Sequence, residues 1–303
     1  MTFEGFMEYG FLTRALIAGI LLAIVCGLLS PWVVLRRLSF AADGLAHASI
    51  GGLAVGLVLV QPGASPSPTS YLVAYVFTCL VALGIAHLTR HLQSDAAIGV
   101  CYVSAFALGV AILSSRNRGL GHLEHVLFGS LLTTRPLEIL LLGILTGLVA
   151  LCLLLDWDGL GAWTFDEELA RAEGVSIHRL RIGLLMLIAA TVIVATRIVG
   201  VLLVAALLVL PGSIGCLLAG RLWTLVVVST GVSVGAAITG IAVSNRSDIP
   251  PGPSIVLCAF AALLVVLAST RLLRRFGNPA PSAVRPPFTP QSPSSCPKIT
   301  EYP

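Results

Sequence analysis

Apolar blocks of roughly 17–25 residues recur along nearly all of this chain, and they constrain its fold more than any other feature. A helix rising 1.5 Å per residue needs about 20 apolar residues to cross ~30 Å of hydrocarbon. Membrane-barrel strands would instead alternate apolar and polar residues over segments of about ten, and no such alternation is visible. With 57% hydrophobic and 11% charged residues, against about 25% charged in a soluble domain, the chain lacks the polar surface to cover a water-soluble globule. The expected class is an all-α membrane protein, a polytopic bundle of eight to nine transmembrane helices.

The apolar blocks place spans near 11–35, 43–60, 71–88, 96–113, 137–155, 181–197, 199–219, 222–243 and 254–272. The stretch 181–219 is interrupted by Arg197 and Gly200 and again by Pro211-Gly212. It reads either as two spans or as one span followed by a re-entrant piece. Arginine placement favours two, because positive charge collects on the cytoplasmic side. With nine spans the N-terminus is outside. Ten arginines (36, 37, 90, 171, 179, 181, 221, 271, 274, 275) then lie inside and five (116, 118, 135, 197, 246) outside. Glu4 and Glu8 stand where a signal peptide would carry positive charge, and Phe11–Leu35 is too long for its apolar region, so this block reads as a retained span. Residues 1–275 thus form the membrane domain, and the Pro- and Ser-rich residues 276–303 a disordered tail.

Several functions are excluded or disfavoured by the same composition. The basic residues gather at span ends instead of forming the dense face that binds nucleic acid. The cysteines (26, 79, 101, 152, 216, 258, 296) contain no C-x-x-C and suggest neither a disulfide framework nor a zinc knuckle. No G-x-x-x-x-G-K-[ST] phosphate loop occurs, and the only lysine is Lys298, so this chain does not bind ATP in that way. No nucleophile–base set marks it as an enzyme.

The densest chemistry lies in Arg36-Arg37-Leu-Ser-Phe-Ala-Ala-Asp43-Gly-Leu-Ala-His47-Ala-Ser-Ile-Gly51-Gly52. Asp43 and His47, four residues apart, fall on one helical face. A carboxylate and an imidazole so placed suit a divalent cation such as Zn²⁺ or Mn²⁺, and ionisable groups within a span usually face a polar interior or a pathway. The alternative is that Asp43 caps the helix and His47 satisfies a neighbouring carbonyl. Gly51, Gly52 and Gly56 suggest close helix packing. A second polar element, Thr164-Phe-Asp-Glu167-Glu168-Leu-Ala-Arg171-Ala-Glu-Gly174, predicts a short extramembrane helix with a Thr164/Glu167 capping box, a Glu167–Arg171 pair and a Gly174 stop. It is either an interfacial linker or a docking helix. His122, Glu124 and His125 form a weaker metal-collecting candidate, His87 and His91 read as interface residues, and Gly200 and Pro211 as candidates for a broken helix lining a pathway.

The run R-R-L-S-F-A-A-D-G-L-A-H-A-S-I-G-G resembles the signature of membrane subunits in the bacterial manganese/zinc/iron ABC transporter permease family. L-E-H-V-L-F-G-S (123–130), T-F-D-E-E-L-A-R-A-E-G-V (164–175) and V-G-V-L-L-V-A-A-L-L-V-L-P (199–211) are similar to further family elements and follow in family order. The resemblance implies a vitamin-B12-importer-like permease in the cytoplasmic membrane of a bacterium. Such a permease pairs with itself or a homologous permease, is driven by cytoplasmic ABC ATPase subunits and is fed by an extracytoplasmic metal-binding protein. It would hold no permanent cofactor, the metal ion (zinc, manganese or iron) being its substrate. It implies metal passage at Asp43 and His47, and ATPase coupling at Phe165, Asp166, Leu169, Ala170 and Gly174. Gly212-Ser213 depart from the two alanines common after the family's proline, and the Pro-rich tail is an addition. The rivals are a permease for a larger chelate, such as a siderophore or cobalamin, and an ion-coupled secondary carrier. The latter typically shows inverted repeats, and no internal duplication is visible here.

Overall fold

The computed structural model describes residues 10–60, 68–114, 134–247 and 249–276. The sequence elements 123–130 and His122, Glu124 and His125 lie outside the described residues, as does nearly all of the Pro-rich tail. The described chain forms α1 (Gly10–Leu35), α2 (Ser39–Val60), α3 (Pro68–Leu88), α4 (Ser94–Ser114), α5 (Pro136–Leu155), α6 (Trp157–Phe165), α7 (Glu167–Ala172), α8 (Ile177–Val199), α9 (Val201–Leu218), α10 (Leu222–Ser247) and α11 (Pro251–Phe276). Helix is the form in which a spanning segment satisfies every backbone group internally. Pro68, Pro136 and Pro251 each open a helix, where the missing N–H costs nothing.

Among the described residues eight helices are long and apolar enough to cross a membrane, and α9 contributes a shorter apolar stretch, Leu203–Leu218. Side-chain contacts settle whether α9 crosses. Leu35 at the end of α1 with Arg36 after it, Glu167 of α7, and Cys216 of α9 with Ala219 to Leu222 after it line one depression, so they share one end of the bundle. At the opposite end Arg197 of α8 meets Glu138 of α5 at 3.2 Å and lies 4.0 Å over the Tyr71 ring of α3. Helix α8 therefore runs from the Arg36 end to the Arg197 end, and α9 returns. Its eighteen residues reach about 27 Å at 1.5 Å per residue. The two-span reading of 181–219 holds, and nine described helices traverse the bundle. The first of the two begins earlier than expected, at Ile177 instead of 181.

The break between them is at Gly200, whose φ of 89° and ψ of 164° are open to glycine and strained for other residues. Pro211 does not break the chain again, because α9 continues through it. The neighbouring Gly212 N–H donates to Ser30 Oγ of α1 at 2.6 Å, a cross-helix bond at the proline.

Helix α1 is the centre of the bundle and packs against α5, α8, α9 and α10. Leu22, Val25, Cys26, Leu29, Trp32 and Val33 are buried along it. Because lipid tails are as apolar as leucine, contact between spans depends on close packing by small residues. A Cβ on Gly240 would lie 2.5 Å from Ile255 Cα, and one on Gly27 2.6 Å from Thr230 Cα. These glycines bring α10 against α11 and α1 at backbone distance.

Candidate metal pair and coupling segment

The corner between α1 and α2 is only three residues long. Arg37 turns it with φ of 55°, while Leu38 N–H donates to Val33 O at 2.8 Å and Arg37 N–H to Val34 O at 3.1 Å. This left-handed closure satisfies the last carbonyls of α1 and starts α2 at Ser39, with Asp43 one turn in and His47 one turn further. Helix α2 is wedged between α3 and α4. Gly52 sits on Ala74 of α3, and Gly51 sits on Ala105 and Gly109 of α4. That contact holds the His47 ring 6.0 Å from Phe106 and 6.1 Å from Tyr102.

Both expected ligands share one face. His47 Nδ1 lies 3.6 Å from Asp43 Oδ1 and 3.0 Å from the Asp43 carbonyl oxygen. A carbonyl only accepts, so in that bond Nδ1 is the donor and Nε2 is the ring nitrogen left outside it, as in a histidine that ligates through Nε2. Local satisfaction of the ring and availability for a metal are thus compatible in one conformation. The side chains remain 52% (Asp43) and 30% (His47) exposed. Among the described residues no group of three or more His, Cys, Asp or Glu is arranged to hold a metal ion. The described residues thus offer two candidate ligands, and a four-coordinate site would need donors from elsewhere.

The second polar element differs from expectation at its start. Thr164 does not cap it. Thr164 and Phe165 end α6, a helix not anticipated from sequence, and the Thr164 hydroxyl donates to Leu160 O at 2.6 Å. Asp166 is the cap of α7: its carboxylate accepts from the N–H groups of Glu168 at 2.9 Å and Leu169 at 3.0 Å. The reason is the extended backbone at Asp166, φ −148° and ψ 110°, which separates the two helices and leaves the first N–H groups of α7 for its side chain. Asp166→Ala should therefore cost about 1 kcal/mol of local stability, read as faster proteolytic cleavage in 165–173, whereas Thr164→Val should leave that cleavage unchanged. Gly174 ends the element as expected, with φ of 82°. Ala170 is buried, while Phe165 and Leu169 are each 57% exposed and project from the Arg36 end of the bundle.

Glu167 meets Arg171 at 2.8 Å as expected, but also Arg36 at 2.8 Å and Arg181 at 3.7 Å. Arg36 further donates to Trp163 O at 2.9 Å and stacks 3.9 Å from the Trp163 ring centroid. Burial alone would raise the Glu167 carboxyl. Hydrogen bonds from Arg36 and Arg171, the Arg36 charge and the Trp163 N–H outweigh it and hold the carboxyl below its ordinary 4.5. Its contribution is present above that value and is lost as pH falls through the lowered one. Sequence reasoning missed Arg36 and Trp163 here, since a double arginine at a span end looks like an orientation signal and a tryptophan in an apolar run looks like packing. Between this cluster, Val34–Arg37 and Ala219–Leu222 lies a cavity of about 910 Å³.

The model of the ABC 3 transport family matches residues 8–270. The chain belongs to the ABC 3 transport family. It is 32% identical over 262 residues to the manganese transport system membrane protein MntC of Halalkalibacterium halodurans, covering 85% of this chain and 86% of that one. It is 32% identical over 260 residues to the chelated iron transport system membrane protein YfeD of Yersinia pestis, covering 86% and 85%. Its fold is similar to PsaBC of Streptococcus pneumoniae, solved with a Fab, at a TM-score of 0.76 and 26% identity over 90% of this chain and 98% of that one. This ABC 3 family chain is a multi-pass protein of the cell membrane. Gly200 and Pro211 are both buried, and Pro211 lies beside the Ser30 contact. His87 and His91 are exposed at the end of α3, their rings 5.9 Å apart.

Proposed function

We propose that this chain is the permease subunit of an ABC-type importer that moves a divalent transition-metal ion, zinc, manganese or iron, across the cytoplasmic membrane. The observation that carries this reading is the Asp43–His47 pair, partly exposed on one face of α2 with Nε2 outside the bond that Nδ1 makes to the Asp43 carbonyl. A two-fold partner, a second copy or a homologous permease, would bring its own pair to the same axis. Two carboxylates and two imidazoles then meet the four-ligand requirement that one protomer lacks. Such a set accepts Mn²⁺, Fe²⁺ and Zn²⁺, and the relatives are named for manganese and for chelated iron.

The Arg36 end of the bundle is the cytoplasmic one. Ten of the arginines gather there in the nine-span layout, and the exposed Phe165 and Leu169 beside the α7 cap offer the contact for an ABC ATPase subunit. In this reading the ATPase is a separate subunit, and no phosphate loop occurs along the residues of this chain. The opposite end, at Arg197, receives metal from an extracytoplasmic binding protein. No resident cofactor is needed, because the metal is the cargo. A chelate permease would want a roomy site without convergent ligands. Proteoliposomes holding this chain with its ATPase and binding protein test the reading. Divalent metal should enter only when ATP reaches the ATPase. Uptake driven by an ion gradient in vesicles without the ATPase would make the chain a secondary carrier.

A further inference from the structure

We propose that the Arg36–Glu167 ion pair carries movement of α7 to the Asp43–His47 pair, making Arg36 and Glu167 positioning residues for the transported metal. The inference rests on the permease reading and concerns how the site on α2 is driven. Two rigid pieces meet at this pair. One is the α1–α2 corner, closed by the Leu38 and Arg37 backbone bonds, which cannot bend without breaking them and which ends a single turn before Asp43. The other is the α6–α7 elbow, where Trp163 is buried and donates its indole N–H to Glu167 Oε2 at 3.3 Å.

Arg36 grips the elbow at three points: Glu167 Oε2 at 2.8 Å, Trp163 O at 2.9 Å, and the face of the Trp163 ring at 3.9 Å. A planar guanidinium that makes a forked and stacked contact fixes direction as well as distance. The Arg36 side chain is 16% exposed, so its charge is screened little and depends on Glu167. Helix α7 otherwise packs on α6 and α8, and α8 in turn packs along α2, but only the Arg36 contact enters at the corner, a single turn before Asp43. A push on α7 reaches Asp43 most directly through this contact and then along one turn of α2. Neutralising Glu167 would also leave the guanidiniums of Arg36, Arg171 and Arg181 converging without their shared anion, so the corner and the elbow would repel.

The test is the number of metal ions imported per ATP hydrolysed in proteoliposomes. Glu167→Gln and Arg36→Gln should each keep ATP hydrolysis and metal binding near the unaltered chain's levels while imported metal per ATP falls by about tenfold or more. The double variant should fall no further than the worse single one. Arg171→Gln removes a 67% exposed partner of the same carboxylate that does not touch the corner, and should keep the ratio. If the glutamine variants fail to assemble, Arg36→Lys, which keeps the charge without the fork, should give an intermediate ratio. An unchanged ratio in the assembled variants, a parallel loss of hydrolysis and uptake, or an Arg171→Gln defect as large as that of Arg36→Gln would overturn the proposal. If the unaltered complex itself failed to import metal, the permease reading would fall, independently of this link.

Discussion

Asp43→Ala and His47→Ala should each lower metal accumulation in metal-starved cells by at least about a hundredfold, the loss expected when a site forfeits a direct ligand instead of an outer-shell partner. Cell metal content measured by mass spectrometry, with the membrane level of each variant followed by blotting, reads the effect. Both side chains are partly exposed, at 52% and 30%, and neither fills the core. Their removal should therefore change the stability of the solubilised protein by no more than about 0.5 kcal/mol. Loss of transport without loss of protein distinguishes a pathway residue from a structural one. Normal accumulation by both variants would remove the pair from the pathway.

Gly51→Val should fail in the opposite manner, losing stability and transport together. A Cβ at position 51 would meet the backbone of Ala105, and Gly109 already lies against Gly51 from the facing helix. Backbone cannot rotate out of the way, so α2 must separate from α4. Overpacking of this kind costs about 1–3 kcal/mol, and the separation also moves His47 off Tyr102 and Phe106. A lowered melting temperature in detergent, with accumulation reduced in step, is the expected result. Gly99→Val on α4 is the matched control, because nothing lies within 4 Å of a Cβ there, and it should keep both. Equal stability of the Gly51 and Gly99 variants would show that α2 and α4 do not need that contact.

Much of this fold is legible from hydropathy and charge alone, because the bilayer imposes length on every span and arginines mark the ends. Asp43 and His47 are legible because their spacing is local: four residues on a helix share a face whatever surrounds them. The limits fall where structure depends on long-range contact or backbone shape. The α6 helix and the Asp166 cap were hidden because Thr164 and Glu167 match the capping-box spacing, and only the extended backbone at Asp166 decides otherwise. Arg36 and Glu167 are 131 residues apart, so no local pattern joins them. Pro211 reads as a breaker in isolation, yet α9 runs through it, with the Ser30 hydroxyl taking the N–H of Gly212 beside it.

The central claim is that ATP-driven metal passes the Asp43–His47 pair. Its most direct measurement is the initial rate of divalent metal uptake into vesicles containing the assembled transporter, comparing the unaltered chain with His47→Ala at equal ATP hydrolysis. Uptake should require ATP in the first and stay at background in the second. Equal uptake by both, with hydrolysis intact, would contradict it.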